Sequence, residues 1–151
     1  MIRALMAGCA AGALTVSIVA GGSVAQAASA PGVQIVAIYF DSPGSDYGSN
    51  TSLNAEWVRI RNVTGRTKTL TGWTLRDAAN HVYHFPTLKL AAGVAVRVHT
   101  GHGTRSAGNL YWGSSAYIWN NTGDSAVLKN ASGVRIDHCS YTSSQDPEAY
   151  C

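Results

Sequence analysis

The chain has 151 residues, of which 46% are hydrophobic and 13% are charged. That length gives one domain with room for a sizeable core, and the absence of internal repeats and heptads argues against a solenoid or a coiled coil. With 11 Lys and Arg against 8 Asp and Glu, the formal net charge of +3 is too small to indicate nucleic acid or an anionic surface as a partner by itself.

Residues 1–27 have the pattern of a secretory signal peptide. Arg3 supplies a positive charge, an apolar Ala-rich stretch follows over residues 10–20, and Ala25-Gln26-Ala27 fits a small-residue cleavage site. Cleavage after Ala28-Ser29-Ala30 is the alternative. The apolar stretch is shorter than the roughly 20 residues that a membrane-spanning helix needs. We therefore predict a secreted protein without a membrane span, in which residues 28–32 are a short linker and residues 33–151 form the domain.

The cysteines divide between these two parts of the chain. Cys9 lies in the predicted signal peptide and is lost with it, which leaves Cys139 and Cys151. An even pair in an oxidising compartment predicts a disulfide, which would tie the C-terminal tail to the last strand of the domain. Two free thiols, or an intermolecular link through Cys151, are the alternatives.

Short β-prone runs separated by turn residues fill the domain. Residues 33–40, VQIVAIYF, are the first predicted strand, and DSPGSDYGSNTSLN after them is a loop by composition. Residues 56–62 alternate cleanly, so that Glu56, Val58 and Ile60 share one face. The opposite face carries Trp57, Arg59 and Arg61. Since one face should meet the core, we expect the two arginines to see solvent.

The same pattern continues to the end of the domain. Further predicted strands cover residues 69–75, 81–85, 94–99, 110–112 and 134–141. Residues 117–119 and 126–129 are predicted to pair as a hairpin across the turn NNTGD. With eight or nine short strands and no helix of note, the fold class is all-β, an antiparallel β-sandwich.

Several motifs in this order resemble the lamin tail domain family. They are NAEWVRIRN, LTGWTLRD, YHFP, LAAGVAVRVHTG and WNNTGDSAVLKNASGVRID. The front loop DSPGSDYGSNTSLN is similar to that of the secreted, stand-alone bacterial members. The resemblance implies an immunoglobulin-like sandwich and no single biochemical activity. Such domains bind or scaffold rather than catalyse, and in bacteria they often accompany secreted hydrolases and nucleases.

A basic and partly aromatic face is the main candidate for binding. Trp57, Arg59 and Arg61 project from one strand and Arg97 from another, and if these strands are neighbours the four side chains form one surface. Such a surface suits phosphate backbones or carboxylated glycans, through charge and stacking. The alternative is a solvated sheet face whose arginines prevent edge aggregation.

A second aromatic group is a candidate sugar platform. It comprises Tyr111, Trp112, Tyr117 and Trp119, of which Tyr111 and Trp112 join the candidate binding surface. Four aromatics on short strands are also what a domain needs for its core, half of them buried and half exposed.

Metal and cofactor signals are sparse. Asp41 and Asp46 in the front loop offer hard oxygen ligands and are weak calcium candidates, although their spacing matches no EF-hand and Asx-rich loops are commonly ordinary turns. The five histidines lack the spacing of a transition-metal site, so we predict no metal and no cofactor.

The sequence does not predict an enzyme. No GxSxG elbow is present, and Glu56 is the one acidic residue that we expect to be partly buried. We predict a secreted, non-catalytic binding or structural module whose partner is a protein or a cell-surface polymer, with nucleic acid also possible. One alternative is a nucleic-acid- or polysaccharide-binding accessory to secreted hydrolases. A small secreted hydrolase is the other.

Overall fold

The computed structural model describes residues 32–145 and 147–151 and contains eleven β-strands in this part of the chain. The strands are short, and the two shortest have only two residues each. Their bounds are β1 Val33–Tyr39, β2 Trp57–Asn62, β3 Lys68–Thr69, β4 Thr74–Arg76, β5 Val82–His84, β6 Lys89–Leu90, β7 Ala95–His99, β8 Asn109–Tyr111, β9 Gly123–Lys129, β10 Arg135–Thr142 and β11 Glu148–Tyr150. A helix, α1 (Asn50–Ala55), and a 3-10 turn, Ser143–Gln145, complete the elements.

Two sheets form the sandwich. The larger has the strand order β11-β1-β2-β7-β8, the smaller has the order β10-β9-β4-β5, and β3 pairs with β6 in a separate ribbon. Every pairing is antiparallel except that of β7 with β8, which is parallel. The predicted all-β, immunoglobulin-like sandwich is confirmed, with two or three more strands than the sequence indicated.

The core between the sheets follows the alternation of apolar residues. Val58 and Ile60 of β2 are fully buried, and Val96 and Val98 of β7 lie beside them. Trp119 is the largest of the fully buried side chains in the described part of the chain. The residues between the buried ones point away from the core, so Arg59 and Arg61 are exposed, as predicted.

The predicted hairpin of residues 117–119 with residues 126–129 is wrong. β9 pairs with β4 and β10 instead, and residues 117–119 form no strand. The reason is a buried side chain: the carboxylate of Glu56 accepts hydrogen bonds from the backbone N–H groups of Ile118 and Trp119. These donors are therefore satisfied without a partner strand.

The front loop contains one feature that composition did not indicate. Residues 50–55 form the short helix α1, and Ser49 caps it by accepting a hydrogen bond from the N–H of Ser52. Leu53 is the buried residue of this helix. The side-chain amides of Asn50 and Asn54 donate to the carbonyl of His102, so the helix is tied to the loop that follows β7.

The C-terminal tail returns to the larger sheet as the edge strand β11. Its three residues pair with Ala37–Tyr39 of β1, and only Ala149 is buried. The disulfide between Cys139 and Cys151 is present, with the Cα atoms 5.8 Å apart. Because Cys139 belongs to β10, the bond links the edge of the larger sheet to the smaller sheet.

The first half of the β1 edge is protected by a carboxylate. Strand β11 pairs only with residues 37–39 of β1. Before them, Asp137 of β10 accepts a hydrogen bond from the backbone N–H of Ile35 at 2.7 Å. We expect Asp137→Ala to lower the free energy of unfolding by about 1–2 kcal/mol, because it leaves this N–H without an acceptor. Urea unfolding and amide exchange at Ile35 measure it. Asp137→Asn retains an oxygen acceptor and is the control; unchanged stability and protection in Asp137→Ala would contradict the assignment.

The membrane and export predictions concern mainly the N-terminal residues. Within the described residues, no helix is long and apolar enough to cross a bilayer. The predicted signal peptide, residues 1–27, and all of the linker except Gly32 lie outside the described residues.

Candidate functional site

Three arginines lie on the outer face of the five-stranded sheet. β2 and β7 are neighbours, so Trp57, Arg59 and Arg61 share this face with Arg97, as the sequence analysis required for one surface. In the antiparallel register Arg59 lies directly opposite Arg97. We call this surface the outer face.

Arg59 and Arg97 face each other without a carboxylate between them. The one ion pair in residues 32–145 and 147–151 joins Asp77 to His81, away from the outer face. Like charges directly opposite each other on neighbouring strands are destabilising. Glu148 of β11 belongs to the same face, but its carboxylate accepts a hydrogen bond from the Tyr150 hydroxyl at 3.0 Å.

An aromatic row crosses the outer face beside the arginines. The register aligns Tyr39, Trp57, His99 and Tyr111 across β1, β2, β7 and β8. Tyr39 stacks on Trp57 with ring centroids 5.6 Å apart, and His99 stacks on Tyr111 at 5.2 Å. The guanidinium of Arg97 lies over the Trp57 ring, 4.7 Å from its centroid. A cation in this position is attracted by the ring and is held in place by it.

A cavity opens between the arginines and β8. Its volume is about 240 Å³. It is lined by Arg59, Ala95, Val96, Arg97, Gly108 and Asn109. The side chain of Asn109 is fixed there, because it contacts His99 Nε2 at 2.8 Å and donates to the Ser106 hydroxyl at 3.1 Å. The cavity therefore has a basic wall of two arginines and a wall with a fixed amide.

Tyr111 and Trp112 do not lie on one surface. They are consecutive, and neighbouring side chains of an extended chain point to opposite faces. Tyr111 belongs to the outer face, whereas Trp112 packs against the core, with its ring 5.6 Å from Tyr83 and 6.0 Å from Trp119. The two remaining members of the predicted aromatic group lie elsewhere. Trp119 is buried, and the Tyr117 hydroxyl contacts that of Ser52 at 2.7 Å.

Tyr39 and Tyr150 are aromatic residues of the outer face that sequence reasoning missed. Tyr39 stands on this face because a bulge between Ile35 and Ala37 shifts the alternation of β1 by one residue. Without the bulge, strict alternation from the buried Ile35 would turn Tyr39 towards the core. Tyr150 reaches the face through the pairing of β11 with β1. No local sequence signal indicates either placement.

Glu56 is buried more completely than expected. Its residue is 0% exposed, and its carboxylate accepts hydrogen bonds from the Thr100 hydroxyl, from Ile118 N–H at 3.1 Å and from Trp119 N–H at 3.0 Å. Burial raises the pKa of Glu56 to about 7, because desolvation of the charged form outweighs these hydrogen bonds, which lower the pKa. Its contacts are with the protein itself, so it supports the loop before β9.

The weak calcium candidates lie together in the front loop. The side-chain amide of Asn121 donates to Asp41 at 3.1 Å and to Asp46 at 3.3 Å, and the Ser42 hydroxyl donates to Asp46 at 3.2 Å. In the described part of the chain, no three His, Cys, Asp or Glu side chains are grouped so that they could hold a metal ion. The hydrogen bonds link the front loop to the turn before β9.

Among the described residues, Asp77 and His99 have different partners and do not form an acid–histidine pair. Asp77 binds His81 twice, through the ring Nδ1 at 2.6 Å and through the backbone N–H at 2.7 Å. His99 instead contacts the carbonyl of Asn54 at 2.7 Å with Nδ1. An acid–base pair is thus present in a turn of the smaller sheet, and His99 is part of the aromatic row of the larger sheet.

Comparison with known proteins agrees with this architecture. The sequence profile of the family described as Lamin Tail Domain matches residues 26–143, which is most of the chain. None of the curated proteins matches it. The matched residues include both sheets of the sandwich up to the 3-10 turn before β11. The chain therefore belongs to the lamin tail domain family.

Proposed function

We propose that this chain is a non-catalytic binding module that acts outside the cell, and that it binds an anionic polymer through the outer face of the five-stranded sheet. The observation that carries the proposal is the opposed pair of Arg59 and Arg97 beside a cavity, with no carboxylate partner in the described residues. Keeping two like charges opposite each other costs stability, and an anionic ligand removes that cost.

The extracellular location is proposed from two features of the chain. Residues 1–27 have the signal-peptide pattern, and Cys139 and Cys151 form a disulfide of the kind that persists in oxidising compartments.

The absence of catalysis is proposed from the use already made of the reactive groups. A general acid or base has to reach its substrate, usually within hydrogen-bond distance. Among the described carboxyl groups, Glu56 has the strongly raised pKa, but it is buried and engaged with Thr100, Ile118 and Trp119. The Asp77–His81 pair lies in a turn, and neither residue lines the cavity of the outer face. A small secreted hydrolase is therefore the least favoured alternative.

The test is a binding panel on two charge-matched variants. The panel contains a single-stranded oligonucleotide, an acidic cell-wall polysaccharide, chitin, and calcium with a chelator, and thermal unfolding detects binding as a raised midpoint. We expect the anionic polymers to raise the midpoint of the wild-type protein. The double variant Arg59→Gln/Arg97→Gln should lose most of this shift, because the cavity loses both cations.

The matched control is Lys89→Gln/Arg135→Gln. Both residues are exposed and lie away from the outer face, on β6 and β10, and the net charge changes by the same amount. Equal losses in the two double variants would mean that binding follows net charge only, which would contradict a site on the outer face. A shift with chitin alone, or with none of the ligands, would contradict an anionic ligand.

A further inference from the structure

The cavity that Arg59 and Arg97 line has the size of a site for one chemical group. At about 240 Å³ it is smaller than the roughly 300–1,000 Å³ of pockets that enclose a whole small-molecule ligand. It is also open to solvent on the side where the exposed Arg59 and Arg97 lie. A group that projects from a longer chain fits such a site better than a free small molecule does.

The two arginines define the charge and the geometry of that group. Each guanidinium presents several N–H donors in one plane and binds carboxylate or phosphate with two parallel hydrogen bonds. A carboxylate holds its two oxygens and their lone pairs in one plane, so two arginines can share it only from within that plane. The oxygens of a phosphodiester diverge tetrahedrally, so two arginines on neighbouring strands can each take a different oxygen. An opposed pair at one cavity therefore favours a phosphodiester.

The aromatic row is arranged in a way that disfavours nucleobases. Base recognition by stacking needs an open ring face. One face of Trp57 is against Tyr39, and Arg97 lies over the ring as well. Tyr111 stacks on His99, and Gly103 approaches it so closely that an added Cβ would lie 2.3 Å from its ring. The rings are occupied by one another and by their neighbours, so they support the arginines rather than offer a platform.

We propose that Arg59 and Arg97 bind one phosphodiester group of a polyol phosphate polymer outside the cell, through its charge and without reading a base. The inference rests on the proposed function and names the ligand of the same face. Trp57 is a positioning residue, because its ring holds the guanidinium of Arg97 beside the cavity. Single-stranded nucleic acid and acidic polysaccharide are the ligands that the test has to exclude.

The experiment is a competition between three polymers of matched length and charge, measured by calorimetry with the purified protein. They are poly(glycerol phosphate), a single-stranded oligonucleotide and a polyuronate. We expect poly(glycerol phosphate) to bind at least as tightly as the oligonucleotide and about tenfold more tightly than the polyuronate. The logarithm of the affinity should fall linearly with the logarithm of the salt concentration, as for phosphate contacts.

Variants assign the effect to single side chains. Arg59→Gln and Arg97→Gln should each weaken poly(glycerol phosphate) binding about tenfold, and Arg135→Gln on β10 should not change it. Arg59→Gln should not lower the unfolding midpoint, since it also removes the repulsion from Arg97. Trp57→Leu should weaken binding as much as Arg97→Gln does. Trp57→Phe keeps a ring under the guanidinium and should retain most of the binding.

The outcomes separate this inference from the function on which it rests. Tighter binding of the oligonucleotide would overturn the polyol phosphate polymer as the ligand, and equal binding of the polyuronate would overturn the phosphodiester assignment. If that binding is lost in Arg59→Gln/Arg97→Gln, either result leaves the outer face as the binding surface. Binding of no polymer, or binding that the arginine substitutions do not weaken, would overturn both. Loss of binding in Trp57→Phe as severe as in Trp57→Leu would overturn the positioning role of Trp57.

Discussion

Replacing Glu56 by glutamine is expected to remove a strong pH dependence of stability between about pH 4.5 and pH 7. The pKa of Glu56 rises from 4.5 to about 7 on folding, because the carboxyl group is buried. Between these values the folded protein holds a proton that the unfolded chain has released. The stability linked to this proton is fully present below pH 4.5 and is lost as the pH rises through 7, by about 3 kcal/mol at 1.36 kcal/mol per pKa unit.

The hydrogen bonds of Glu56 predict how the glutamine variant differs. A protonated carboxyl group can donate to the Thr100 hydroxyl and still accept from Ile118 and Trp119. The amide of glutamine has only one oxygen, so one backbone N–H faces the NH₂ group. We expect Glu56→Gln to be about 1–3 kcal/mol less stable than wild type at acid pH. This difference should shrink as the pH rises and should be smallest near pH 8.

Chemical denaturation of the two proteins at several pH values measures the effect. The difference between them cancels the titration of the other carboxyl groups, which both share. Glu148→Gln, in the edge strand β11, is the control and should follow the wild-type pH profile. If the difference widened with rising pH instead, Glu56 would be a carboxylate stabilised in its charged form, with a pKa below 4.5 in the folded protein.

Loss of the disulfide is expected to lower the free energy of unfolding by about 3 kcal/mol, because the bond closes a loop between Cys139 and Cys151. The two cysteines are 12 residues apart in sequence. For a domain of this size, this loss of stability lowers the unfolding midpoint by about 10 °C. The variant Cys139→Ser/Cys151→Ser removes the bond without leaving a free thiol. Intact mass before and after reduction of the wild type should differ by two hydrogens.

The same variant should loosen the edge strand before it affects the rest of the sheet. β11 buries only Ala149, so little besides the disulfide and three residue pairings holds it on β1. Amide exchange at Phe40, whose N–H donates to the carbonyl of Pro147 at 3.0 Å, should accelerate. Exchange at Val58, in the centre of the larger sheet, should follow only the global loss of stability. An unchanged midpoint with Phe40 still protected would mean that packing alone holds the strand.

Glu56 and the disulfide support different strands of the sheet that carries the outer face. Glu56 is the C-cap of the helix α1 and directly precedes β2, which carries Trp57 and Arg59. The disulfide holds Tyr150 and Glu148 at the edge of the same face. Variants of either site therefore need a stability measurement before any change in ligand binding is assigned to the outer face.

The sequence by itself determined the elements whose signal is local. The alternation of Val58 and Ile60 with Arg59 and Arg61 predicted β2 and its two faces, because side chains of a strand point alternately to opposite sides. The pairing of Cys139 with Cys151 followed from the count of cysteines. The all-β class and the lamin tail resemblance likewise rest on strand and turn motifs that can be read along the chain.

Only the tertiary structure decided which distant residues meet. The register of β2 with β7 places Arg59 opposite Arg97, and the bulge in β1 turns Tyr39 outwards. The carboxylate of Glu56 takes the N–H groups that a hairpin strand at residues 117–119 would have used. Each is an interaction between segments far apart in sequence, and its energy depends on strand register and burial. Neither quantity is encoded in the local pattern of a single strand.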